Sequence, residues 1–158
     1  MASRALSTLS LLELIRLFEQ SAQPITDSDG QRLFGVPGWA LAGRSSVSEL
    51  DLSAWSECVG YAGSYPAPCG DEQVMVEIEE DTDPNQYRYR CPETFRVKHI
   101  SADAAVVRSV TATKLLNYLA DLMDMPQTLR RGINTAAIDG VLWHLGKMRI
   151  GLLHTDIW

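Results

Sequence analysis

Apolar residues along this chain recur with two periods, and the switches between them predict most of its elements. From Ser10 to Gln20, Leu11, Leu14, Ile15 and Phe18 return every three or four positions, and Leu12 and Leu17 widen the stripe. Side chains at that spacing share one helical face, so the stretch predicts an amphipathic N-terminal helix. Ser10 followed by Glu13 fits a capping box at its start. The pattern then becomes irregular. "PITDSDGQRLFGVPGWALAG" mixes glycine, proline and large apolar residues, which predicts short strands separated by turns. "SVSELDLSAWSECV" reads as a short helix capped by Ser48, with Leu50, Trp55 and Val59 inward, or as a strand alternating at Leu50, Leu52 and Ala54. "GYAGSYPAPCGD" has the composition of a loop.

A period of two begins at Val74. Val74, Val76 and Ile78 alternate with Met75, Glu77 and Glu79, the mark of a half-buried strand. "DTDPNQ" is turn chemistry, Tyr87 to Cys91 alternates again, and "TFRVKHI" reads as a further strand. Placing Ile78 opposite Tyr89 sets Val76 across from Cys91, Glu77 across from Arg90 and Glu79 across from Arg88. The helical period returns in "TATKLLNYLADLMD", where Leu115, Leu119 and Leu122 share a face with Leu116 and Met123, and Pro126 ends the element. In "DGVLWHLGKMRIGLLHTDIW" the glycines Gly140, Gly146 and Gly151 punctuate two or three short strands, with a tight turn near Gly146 and Lys147 and the last strand running to the end. A helix from Thr135 to Leu145 is the alternative, with Gly140 in its middle at a cost of about 1 kcal/mol against alanine. The expected fold is α+β: a mostly antiparallel sheet, the N-terminal helix, and a second helix from about Thr111 to Asp124. A single domain over 1–158 is expected, with 65–100 a ribbon-like hairpin subregion.

Composition narrows the function more than the fold. The chain has 158 residues, 46% of them apolar and 22% charged, which is ordinary for a globular domain. Fourteen basic residues against twenty acidic ones give a net charge of -6, the wrong sign for a domain built on duplex phosphate. "MASRALSTLSLLELIRLFEQ" is interrupted by Glu13 and Arg16 and lacks a cleavage site, so no signal peptide is expected, and no apolar run is long enough to span a membrane. Three cysteines, Cys58, Cys69 and Cys91, make no even disulfide framework and point to reduced thiols in a cytoplasmic protein.

The stretch "YPAPCGDEQVMVEIEEDTDPNQYRYRCPETF", Tyr65 to Phe95, resembles a zinc ribbon with half of its ligands. A ribbon holds zinc with two C-x2-C turns. "CPET" supplies Cys91 with Thr94 in the partner position, and "PAPCG" supplies Cys69 with Pro66 in the other. Cys58 and His99 are the further residues a metal would have to recruit, and the expectation is a metal-free ribbon with no cofactor. In "YRYR" the arginines have carboxylates waiting across the strand pair, so cross-strand pairing accounts for them without RNA. The composition and the ribbon outline look like a small bacterial accessory protein.

No nucleophile elbow, phosphate-binding glycine loop or metalloprotease helix is present. Cys58 reads as a buried thiol, and Glu79, Glu80, Asp81 and Asp83 as a solvated acidic tip. The leading expectation is a non-enzymatic interaction or regulatory domain that binds another macromolecule, a protein first, with a homodimer as one form of that. Leu14 and Phe18 on the N-terminal helix, and Trp143 and Trp158 near the C-terminus, are the candidate anchors. Two alternatives stand beside it. One is a nucleic-acid-binding regulator using Arg130, Arg131, Lys147 and Arg149, with "LLNYLADLMDMPQTLRRGINTAAI" drawn as a helix-turn-helix that Gly132 interrupts. The other is a metal-dependent enzyme using His144, His154 and Asp156.

Overall fold

The computed structural model describes residues 7–42, 44, 52–69, 72–130, 144–150 and 153–158, with the side chains of all of these except Leu9, Met148, Ile150 and His154. They form an α+β fold with antiparallel sheets and an N-terminal helix, as the periodicity predicts. Two compact units divide it, one over Thr8–Val110 and the other built on Thr111–Trp158.

The larger unit opens with α1, Thr8–Gln20. Its buried positions are Ser10, Glu13, Leu14, Leu17 and, just past its end, Ser21, a stripe at helical spacing. Ile15 and Leu12 are turned outward. Ser10 is not the cap expected of it, because the helix already begins at Thr8, and Glu13 reaches Arg44 at 3.1 Å. Ser21 fastens the end of the helix to the sheet. Its hydroxyl donates to Leu17 O at 2.6 Å and accepts from Val110 N at 3.0 Å.

Strands β1 (Pro24–Thr26) and β2 (Arg32–Phe34) form a hairpin around Gly30. β3 (Val36–Pro37) leads into the one-turn helix α2, Gly38–Leu41. Gly38 must be glycine, since a Cβ there would lie 1.8 Å from Asp103 O. Of the stretch read as helix or strand, the described part is both: α3 (Leu52–Trp55) runs directly into β4 (Ser56–Tyr61), while Ser48 and Leu50 lie outside the described residues. β4 and β3 flank β10 (Val106–Val110), an apolar central strand.

The predicted loop at 60–71 is instead strand β5, Ser64–Cys69, paired with β6, Glu72–Glu77. Pro66 and Pro68 are two apart, so both nitrogens face away from β6 and no rung of the ladder is lost. β6 passes through Ile78 into β7 (Glu79–Glu80), which pairs with β8 (Gln86–Arg90), and β8 pairs with β9 (Val97–Ser101). The predicted register is present at Glu79 and Arg88, whose side chains meet at 3.3 Å. It stops at Ile78, because β6 has taken β5 as its partner. Ile78 N still donates to Gly63 O, on the β5 side. Ile78, Ala67, Tyr89, Cys91 and Ala105 form a buried cluster, with Tyr65, Cys69, Val76, Tyr87 and Ile100 against it. Helix α4 (Ala102–Ala105) returns the chain from β9 to β10.

In the smaller unit α5 covers Ala112–Leu122 and ends before Pro126 can end it. Asp124, at φ 52°, takes the left-handed position of a Schellman turn, with Asp124 N bonded to Asp121 O and Met125 N to Ala120 O. Met125 and Ala120 then join Leu145 in a small core. The tail forms β11 (Gly146–Ile150) and β12 (Leu153–Ile157), so the strands meet across 151–152 and not near Gly146. The alternative helix from Thr135 lies almost wholly outside the described residues.

Replacing Ser21 with alanine leaves the buried Val110 N–H without its acceptor. Chemical denaturation is expected to show a loss of about 1–3 kcal/mol, the cost of one unsatisfied buried donor.

Candidate functional site

The partner exchange at Ile78 brings two hairpin ends together. Cys69 is the last residue of β5 and pairs with Glu72 across positions 70–71. Cys91 follows the last residue of β8 and starts the turn to β9. Tyr65, four residues before Cys69, and Tyr89, two before Cys91, lie with ring centroids 5.7 Å apart. On the same face Cys69 packs against the buried cluster that contains Cys91. Cys91 is 1% exposed and Cys69 is half-buried.

The turn after Cys91 is arranged around its sulfur. Phe95 N donates to Cys91 O at 2.8 Å, and Cys91 N donates to Arg96 O at 2.9 Å. That closure aims the Thr94 hydroxyl, the Thr94 N–H and the Glu93 N–H at Cys91 Sγ. Donors aimed at sulfur favour the thiolate. The Thr94 hydroxyl and N–H contribute most, burial opposes them, and the Glu93 N–H and Cys69 add to the effect, so the Cys91 pKa falls from 9.0 to about 7. Cys69 moves the other way, raised first by burial and then by its bond to Cys91 and by the charge there.

Sequence reasoning placed Cys69 at the end of a turn, with Pro66 as its absent partner. In the structure Pro66 is mid-strand, opposite Met75, and Cys69 ends the strand, paired with Glu72. The partner position is therefore Glu72. The readable signal was Gly70-Asp71 between two strand-like runs, a two-residue hairpin dipeptide. The other residues considered for a metal lie elsewhere. His99 Nε2 is 2.9 Å from Asp81 Oδ2, and exposed Cys58 turns its sulfur to Gly60 O at 3.8 Å. No group of three or more His, Cys, Asp or Glu side chains converges among the described residues. Asp81 is itself held below the usual carboxylate range, chiefly by the Thr82 N–H at 2.7 Å and then by the Thr82 hydroxyl, His99 and Arg88.

The smaller unit gathers two of the three residues read as a possible catalytic set. His144 Nε2 lies 2.9 Å from Asp156 Oδ1, and the imidazole tilts against Trp158 with centroids 4.5 Å apart. The third, His154, is paired with Arg149 in backbone register, and its side chain lies outside the described residues. Among the basic residues, Arg130 has 8% of its side chain exposed and binds Met125 O, Asn117 and Asp121, so it braces the end of α5. Lys147 is exposed opposite Asp156, Arg149 is exposed with a partner of its own, and Arg131 lies outside the described residues. Of the proposed anchors, Leu14 is 0% exposed, Phe18 is partly buried and Trp158 is 63% exposed, while Trp143 lies outside the described residues.

Two concavities accompany these groups. A cavity of 240 Å³ between α1 and α2 has Arg44 as its only ionisable lining residue, and Arg44 is committed to Glu13. A groove of 400 Å³ opens where β6 and β8 part, lined by Glu77, Glu79, Arg88, Tyr89, Arg90 and Val97. No described helix is long and apolar enough to cross a membrane. Comparison with protein families, with characterised proteins and with solved structures gives no match to this chain.

The thiolate absorbance of the folded protein is expected to show one cysteine titrating near pH 7, and Thr94→Val is expected to move that midpoint upward. Between about pH 7 and 9.0 the unfolded chain keeps a proton on Cys91 that the folded chain has released, so this thiol's contribution to stability grows with pH across that window and fades as pH falls through 7. Three thiols titrating together at the ordinary value would contradict the geometry.

Proposed function

We propose that the protein is a non-enzymatic interaction domain whose partner is another protein, and that Phe95 is a main contact of its larger unit. The observation that carries this reading is the backbone at Phe95. Its φ is 55°, in the left-handed region that favours glycine or asparagine, and its side chain is 71% exposed. A β-carbon in that region costs about 1–2 kcal/mol, and a ring so exposed recovers little of it by burial. A large aromatic kept where it strains the backbone and packs against little is a contact side chain in search of a surface.

Its surroundings suit a protein. Val97, 52% exposed, lies two residues on and lines the groove between β6 and β8. Glu77, Glu79, Arg88 and Arg90 line the same groove, so charges of both signs lie beside Val97. In the smaller unit Trp158 is the second proposed contact, exposed with its ring tilted against His144. The engagement of Arg130 with Asp121 weighs against a phosphate-binding patch, as does the net charge of -6.

Phe95→Asn separates contact from folding, because asparagine tolerates the left-handed position. The variant is expected to be as stable as the parent or more so by about 1 kcal/mol, while the amount of partner captured by the full chain falls about tenfold or more. Trp158→Ala is expected to weaken capture without a change in melting. Sedimentation of the isolated chain tells a second copy from a different protein. Undiminished capture by both variants would overturn the reading.

A further inference from the structure

Cys69 and Cys91 stand 22 positions apart in the chain, close the ends of different hairpins, and come together in one cluster, Cys91 buried in it and Cys69 packed against it. We propose that this pair is a redox site that closes to a disulfide by exchange with low-molecular-weight disulfides, with Cys69 as the entry point and Cys91 as the resolving sulfur. Exposure assigns the order. Cys69 is half-buried and can be reached, whereas Cys91 is 1% exposed behind it. The third thiol, Cys58, lies on β4 with its sulfur turned to Gly60, outside this cluster.

The step balances without any other reactant. The accessible Cys69 thiol releases its proton to solvent, and the thiolate attacks one sulfur of the reagent RSSR. Its S–S bond breaks and RS⁻ departs. The Cys91 sulfur then attacks Cys69 Sγ, a Cys69–Cys91 bond forms, the second RS leaves, and the Cys91 proton goes with it as RSH. The dithiol is oxidised by two electrons and the small disulfide is reduced to two thiols.

The turn at 91–95 favours the return reaction as well. A reducing thiol reaches Cys69 first and expels Cys91, whose departing charge is received by Thr94 and the Glu93 N–H. A leaving group stabilised in advance leaves faster, so the bond is of the labile, reversible kind. This inference does not depend on the partner-binding reading: the site needs only the two sulfurs and the turn.

The test is incubation of the intact protein with oxidised glutathione, followed by alkylation and peptide mass mapping. The expected product has lost two hydrogens, links Cys69 to Cys91 and leaves Cys58 alkylated. Cys91→Ser and Cys91→Ala are expected to accumulate glutathione on Cys69, and Cys69→Ser is expected to stay unmodified at buried Cys91. Circular dichroism confirms that each variant is folded. Three results overturn the proposal: no Cys69–Cys91 link in the parent, a link through Cys58, or glutathione appearing on Cys91 of folded Cys69→Ser at the parent's rate.

Discussion

The larger unit depends on an exchange of partners at a single residue. β6 is bonded to β5 up to Ile78, whose N–H still reaches Gly63 O, and one residue later Glu79 is paired with Arg88 of β8. Ile78 is 2% exposed, and its side chain fills the angle that this exchange opens. Had the chain kept β8 as its partner throughout, Tyr65, Ala67 and Cys69 would have no face to pack on. The bend lays the β5–β6 hairpin over β8, and the aromatic pair Tyr65–Tyr89 and the sulfur pair Cys69–Cys91 follow from it.

The turn after Cys91 then does two things with one backbone shape. Closing it through the Phe95 N–H to Cys91 O aims donors at the sulfur and sends Phe95 into the left-handed region with its ring in solvent. The stabilised thiolate and the exposed aromatic are therefore consequences of the same few residues. A change in the Cys91 sulfur alters the group that the Thr94 donors face, five residues or fewer from the contact side chain.

Elements whose cause is local were legible in the sequence. The periods of α1 and α5 identify both helices, and the matched charges of Glu79 and Arg88 set the strand register correctly where the strands do pair. What was not legible has a non-local cause. Pro66 and Pro68 have the composition of a loop, and only a partner lying on one side makes them an edge strand. "VVRSV" shows no alternation because β10 is central and covered, so its pattern does not announce a strand. The partner exchange at Ile78 left no mark on the alternation, since both hairpins keep the same side chains inward. Hence the site was seen as a worn ribbon with Pro66 in it, while the convergence of Cys69 and Cys91 on one cluster was not. Glu13 is a related case: its spacing from Ser10 suited a cap, but the distant Arg44 offered it an ion pair.

Nuclear Overhauser contacts across β6 test the partner exchange most directly. The account predicts backbone cross-peaks from Met75 to Pro66 and from Val74 to Ala67, ring contacts between Tyr65 and Tyr89, and none between the backbones of Glu77 and Arg90. A continuous ladder from Val76 to Cys91, with β5 unpaired, would contradict it.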